Sequence, residues 1–202
     1  MTRRIFFSFA YEDVANFKVN VVRNNWLLKH KSESFVDGSI WENEKTKKDD
    51  HIKELINYGL AGTSVTCVLI GSSTANRRWV KYEIVKSFDK GNGILAVQIN
   101  RIRGLVGRTC RGINPLERLG LQISKDGRQI SFYELIDRRW WKYEDVPRIN
   151  NKMSNSLYFG EYKYPGQFYR FSDLFATLCW NLDNGNNHFS TWTEMAAQQV
   201  GR

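Results

Sequence analysis

Between Val65 and Phe88 a bare apolar run ends in Gly71, Ser72, Ser73 and Thr74 and opens into Arg77-Arg78-Trp79-Val80-Lys81-Tyr82-Glu83. The run reads as a strand and the remainder as the start of a helix. An edge of this kind is where an open α/β sheet takes its ligands. Glu83 follows Trp79 by one helical turn, so an indole and a carboxylate lie on the same face. A carboxylate placed there can hold hydroxyl groups or steady developing positive charge. The same spacing equally describes a solvated glutamate paired with Lys86, a contact worth under about 0.5 kcal/mol.

Three loops could share that crevice. Ser8-Phe9-Ala10-Tyr11 offers a small hydroxyl and two aromatics that can stack on a flat ring, although Phe9 could simply end a strand in the core. Asp37-Gly38-Ser39-Ile40-Trp41 offers a carboxylate for ribose hydroxyls and an indole lid, or merely a turn and a packed ring. Ser72 and Thr74, with Arg77 and Arg78 beyond them, suit an anion at a helix start, but serine and threonine are also ordinary N-caps. No glycine-rich phosphate loop of Walker or dinucleotide type occurs. His30, His51 and His188 have no metal-ligand spacing, and no metal site is expected.

The elements that must position these groups alternate. Arg3 to Phe9 reads as a strand covered on both faces, and Val14, Phe17, Val21 and Leu28 follow at near-helical spacing. Ser34 to Val36 is a second strand, and Ile52, Leu55 and Ile56 mark a helix that Gly59 or Gly62 can stop. Val65 to Ile70 is strand three, Val80, Ile84 and Phe88 line the next helix, and Ile94 to Ile99 is strand four. Such alternation predicts a mostly parallel sheet with helices on both faces in a flavodoxin-like order. Beyond residue 100 the pattern changes. Asp126-Gly127 between Leu121–Ile123 and Ile130–Tyr133 signals a hairpin. Leu174, Phe175 and Leu178 suggest a last helix from Ser172 to Asn181, and Met195 to Arg202 is expected to fray. We therefore expect a single domain over 1–202, with a core over 1–100 and an elaboration over 101–202.

The chain has 202 residues, 42% hydrophobic and 14% aromatic, enough for one sizeable core. No run approaches a bilayer span and the N-terminal apolar stretch is short, so a cytoplasmic location without membrane contact is expected. Its 3 cysteines, Cys67, Cys110 and Cys179, show neither metal nor disulfide spacing and read as free thiols. The net charge of +9 admits nucleic acid, an anionic surface or a phosphate-bearing small molecule and alone decides among none of them.

Phe6-Phe7-Ser8-Phe9 is similar to the first-strand motif of the TIR-domain family, and Trp79-Val80-Lys81-Tyr82-Glu83 to its Trp-x-x-x-Glu helix motif. Residues 19–24, 63–72 and 76–84 more closely resemble the TIR-like subunit of bacterial Thoeris anti-phage systems, a likeness that continues more weakly through Asn114-Pro115, Asp126-Gly127 and 187–192. Val80 stands where the wider family usually has cysteine; the Thoeris subgroup shares the valine. The resemblance implies a flavodoxin-like TIR fold and cleavage of the nicotinamide–ribose bond of NAD, which is substrate and not resident cofactor, with Glu83 required. It further implies activation by infection and a cyclic ADP-ribose-type product that reaches a separate effector protein. Phe7, Ser8, Phe9, Tyr11, Asp37, Ser39, Trp41, Ser72 and Trp79 are the expected substrate-binding residues. The trigger and any self-association stay open. Two other readings compete: a TIR interaction module without turnover, and nucleic-acid binding through Arg101, Arg103, Arg108 and Arg111. The latter lacks any groove-reading motif.

Overall fold

The computed structural model describes residues 3–30, 35–37, 48–151, 158 and 164–202. Strand β1 (Ile5–Ser8) is followed by helices α1 (Tyr11–Ala15) and α2 (Lys18–His30), then β2 (Phe35–Asp37), α3 (Asp49–Leu60), β3 (Val65–Ile70), α4 (Arg78–Lys90) and β4 (Gly93–Gln98). These strands pair in parallel, with β1 between β2 and β3 and β4 beyond β3. This is the flavodoxin-like order expected from the alternating pattern. One predicted helix is broken in two: Phe17 takes a positive φ of 60° between α1 and α2, a conformation that a bulky residue adopts at a cost.

The fifth strand of this sheet comes from far along the chain. After β4 the polypeptide builds an antiparallel sheet from β5 (Leu119–Ile123), β6 (Gln129–Ile136), β7 (Arg139–Lys142), β8 (Ile149–Asn150) and β9 (Phe168–Arg170). The predicted hairpin is β5–β6, with Gly127 at φ 72° in its turn. A four-residue helix α5 (Phe171–Leu174) then leads to β10 (Thr177–Cys179), which pairs in parallel with Ala96–Gln98 of β4, and α6 (Gly185–Gln198) closes the fold. The helix expected over Ser172–Asn181 is therefore corrected to a short turn of helix and an edge strand. The last helix lies further on. Its end is not frayed, because Arg202 donates to the carbonyls of Thr63 and Lys90 and to Asn92 Oδ1.

Side chains of the central strands alternate between two cores. Ile5, Phe7, Val65, Cys67, Leu69, Leu95 and Val97 pack with Val19, Val22 and Trp26 of α2 and Phe189 and Ala197 of α6. Phe6, Val68, Ile70, Ile94 and Ala96 face the other way, onto α3, α4 and the antiparallel sheet. Helix α4 is thus enclosed on two sides. Phe88 stands 4.5 Å from the ring of Tyr158 and 5.9 Å from that of Phe132, a burial worth roughly 2–3 kcal/mol. Ion pairs fix the layers: Lys81 reaches Glu134 at 2.6 Å, and Arg78 grips both oxygens of Asp145 at 2.6 and 2.8 Å. Among the described residues no helix is long and apolar enough to cross a membrane.

Candidate active site

The strand order reverses direction between β1 and β3, since β1 leads on to β2 on one side while β3 leads on to β4 on the other. The crevice outside the C-terminal ends of such a pair is where a doubly wound sheet receives a ligand. Ser8 ends β1 and Gly71 follows β3, so two of the loops read from the sequence, those after β1 and β3, arrive at this point.

Glu83 lies in the second turn of α4 and is 1% exposed. Ser8 Oγ donates to its Oε2 at 2.5 Å, the length of a hydroxyl-to-carboxylate bond. A thread of buried hydroxyls continues behind it. Ser87 Oγ donates to the Glu83 carbonyl at 2.6 Å and lies 2.7 Å from Thr66 Oγ1. Ser87 has one hydroxyl proton and spends it on that carbonyl, so Thr66 must donate to Ser87. These groups anchor α4 to β1 and β3 and fix the rotation of the helix that aims Glu83. The alternative pair with Lys86 does not form: Lys86 bonds Asp89 at 2.6 Å.

A second carboxylate stands at the same strand ends. Asp13 of α1 is 4% exposed, and burial pushes it up to about 6, only partly offset by the Lys18 ammonium. Its Oδ2 has no hydrogen-bond partner, and a Cβ on Gly71 would sit 1.9 Å from it. Only a residue without a side chain lets the β3 turn pass there. Thr74 braces that turn, accepting from the Gly71 N–H at 2.9 Å and donating to the Leu69 carbonyl at 3.3 Å. Arg77 pairs with Glu12 across the mouth, where Ser73 Oγ also donates to Glu12 at 3.4 Å. Asp13 is not among the candidates singled out from the sequence; its place in the first turn of the helix after β1 is the signal that could have found it.

The remaining expected residues divide by position. Trp79 is half-buried one turn before Glu83, edge-on to Tyr82 at 6.0 Å and capped by the Arg78 guanidinium at 4.7 Å. Ser72 is exposed beside the β3 turn, and Tyr11, 44% exposed, opens α1. Phe7 and Phe9 are buried on the opposite face of the sheet from Glu83, with Phe7 6.1 Å from the Phe189 ring. Asp37 also lies toward α2, where Arg23 bonds it at 2.8 Å; burial raises its pKa and Arg23 opposes the rise. Ser39 and Trp41 lie outside the described residues. The structure thus brings Ser8 onto Glu83, keeps Tyr11, Ser72 and Trp79 on neighbouring elements, and places Phe7, Phe9 and Asp37 on the face of the sheet opposite Glu83.

Cys67 and Cys110 are a buried strand thiol and an exposed loop thiol, and Cys179, expected on a helix, lies in β10; all three are free. Among the described residues no group of three potential metal ligands converges. What the site offers is a desolvated carboxylate aimed by a serine hydroxyl at the tips of parallel strands. Such a group holds hydroxyls and stabilises cationic character where water is scarce.

Residues 6–103 match the model of the family described as Thoeris protein ThsB, TIR-like domain. The chain is also 45% identical over 197 residues to a Bacillus cereus (strain MSX-D12) protein named "Putative cyclic ADP-D-ribose synthase ThsB1", covering 95% of this chain and 99% of that one. With the strand order, the Trp79 to Glu83 helix and this near full-length similarity in agreement, the chain belongs to the ThsB family of TIR-like Thoeris proteins.

Proposed function

We propose that this chain is a TIR enzyme of anti-phage defence that cleaves the nicotinamide–ribose bond of NAD and closes the remainder into a cyclic ADP-ribose-type signal for a separate effector protein. The observation that carries this is the Glu83 carboxylate, withdrawn from water at the β1–β3 strand tips with Ser8 Oγ upon it. The name of the Bacillus cereus relative gives the same product class.

The chemistry is heterolytic. The C1–N bond electrons leave with nicotinamide, and ribose C1 and its ring oxygen share a positive charge like that of glycoside cleavage. Glu83 counters that charge and orders the ribose hydroxyls. Ring closure then needs an internal nucleophile to meet C1 before water does, which is work for aromatic walls and a closed loop. Tyr11, Trp79 and Trp41 are the proposed walls, with Ser39 and Ser72 at the rim. Phe7 and Phe9 support β1 from behind, and Asp37 braces its neighbour strand through Arg23. NAD is substrate here, with no resident cofactor proposed.

The deciding experiment compares small molecules in infected cells expressing the chain or its Glu83→Gln variant by mass spectrometry. The proposal expects a cyclic ADP-ribose-type species in the first and none in the second. Equal product in both would remove Glu83 from the chemistry. If neither makes product while the chain still protects cells, the interaction-module reading takes its place.

A further inference from the structure

A cavity of about 250 Å³ opens at the C-terminal ends of β4 and β10, on the other side of β3 from β1 in the sheet order. Its lining includes Gln98, Arg101, Arg111, Thr177 and Asp183. Gln98 is 4% exposed, and its Oε1 has no hydrogen-bond partner although Nε2 reaches the Gly112 carbonyl at 3.4 Å. An unmet buried acceptor costs free energy unless something donates to it. Asp183, on the rim, already accepts from the Cys179 N–H through Oδ2 at 2.6 Å, and Thr177 Oγ1 accepts from Asn114 at 2.8 Å.

The two arginines come from the basic stretch that the proposed reaction leaves unused. They stand ten positions apart in sequence, and the loop between them is clasped shut. Lys18, fully buried, donates to the Asn100 carbonyl at 3.2 Å and to Thr109 Oγ1 at 2.7 Å, while the Thr109 N–H bonds the Asn100 carbonyl at 3.0 Å. Gly104 and Gly107 exchange backbone bonds within the loop, and a Cβ on Gly112 would meet the Gly71 carbonyl at 1.7 Å, so the segment leaving the loop is pressed against the β3 turn. Arg101 and Arg111 therefore reach one cavity from a clasped loop backbone, their side chains exposed and neither in an ion pair among the described residues. Arg103 and Arg108 do not line it. Fixing the backbone that carries the donors removes the loop's share of the ordering cost on binding.

We infer that this cavity is a second ligand site, for a small phosphate monoester of a sugar or nucleoside: Arg101 and Arg111 hold the phosphate, while Gln98 Oε1 and the Asp183 carboxylate accept from hydroxyl or amino groups. Paired guanidinium groups suit phosphate geometry. The volume suits a pentose phosphate and not a whole dinucleotide, so this is a site apart from the one proposed for NAD.

The test is equilibrium dialysis of the full chain with ribose 5-phosphate, ribose and inorganic phosphate, in wild type, Arg101→Gln/Arg111→Gln, Arg103→Gln/Arg108→Gln and Glu83→Gln. The expected result is saturable binding of one ribose 5-phosphate per chain, weaker binding of phosphate and none of ribose. Affinity should fall by at least about tenfold in the first double variant and stay within twofold of wild type in the other two. Equal losses in the two double variants would mean diffuse charge and overturn the site, as would equal affinity for phosphate and its ribose ester. Loss in Glu83→Gln would place binding in the other crevice and overturn it too. None of these outcomes depends on NAD turnover, so the site and the proposed reaction stand or fall separately.

Discussion

Replacing Ser8 with alanine removes one hydroxyl and nothing else from the strand tip. In the structure that hydroxyl donates at 2.5 Å to a carboxylate that is 1% exposed, so no bulk water replaces it cheaply. A hydrogen bond to a charged, buried group contributes about 1.5–3 kcal/mol. If that bond aims Glu83 at the ribose during bond cleavage, product formation should drop about 10- to 100-fold, a decade for each 1.4 kcal/mol. Urea unfolding of Ser8→Ala, Glu83→Gln and the double variant completes the case. The two changes should be coupled by about 0.5–1 kcal/mol, because glutamine still accepts the Ser8 hydroxyl proton and loses only the charge assistance of the bond. Product release is followed by mass spectrometry of infected cells, with protein level matched by immunoblot. Wild-type product from Ser8→Ala, together with the full loss of folding stability, would refute the argument: the bond would then be an anchor for α4 and not an aiming device.

Four further outcomes are expected. Glu83→Gln should retain wild-type circular dichroism and a similar melting temperature, since it is nearly isosteric, while losing product. Asp13 holds its proton more tightly when folded, up to about 6 against 3.8 in the open chain; folded protein then binds more protons than unfolded protein between those values, so stability should decline as pH rises from about 4 to 6, by of order 3 kcal/mol, and Asp13→Asn should flatten that decline in urea titrations at each pH. Gly112→Ala should destabilise the chain by about 1–3 kcal/mol, because its methyl group meets the Gly71 carbonyl and neither backbone can yield freely; an unchanged urea midpoint would contradict the close approach. Arg202→Ala should lower the midpoint by about 1–2 kcal/mol through loss of its bonds to Thr63, Lys90 and Asn92, and an unaltered midpoint would mean that the C-terminus is untied in solution.

What the sequence disclosed was set by local pattern. Strands such as Val65–Ile70, buried at every position, announce themselves as continuous apolar runs, and Val80, Ile84 and Phe88 mark the inward face of α4 at fixed spacing. The β5–β6 turn was legible because Asp126-Gly127 suits few other conformations. Thr177–Cys179 was not. Its leucine continues a helix-like spacing from Leu174 and Phe175, and only pairing with Ala96–Gln98 makes it a strand, a tertiary preference overriding a local one. The true last helix did carry a signal in Phe189, Trp192, Ala196 and Ala197, masked by its Asn- and Gly-rich start. At the site, Glu83 and Ser8 could each be singled out, but their meeting depends on sheet order, as does the face on which Phe7 and Phe9 lie. Asp13 escaped for the same reason. Its burial follows from Gly71, a residue remote in sequence.

The late arrival of β10 has a bearing on how the molecule comes into being. Strand four waits, with one edge bare, until an entire antiparallel sheet and the last few dozen residues have left the ribosome. Long-range parallel pairing of this sort is slow to form. A nascent or prematurely terminated chain would therefore lack both the packing of α6 behind β1 and the closing edge of the sheet.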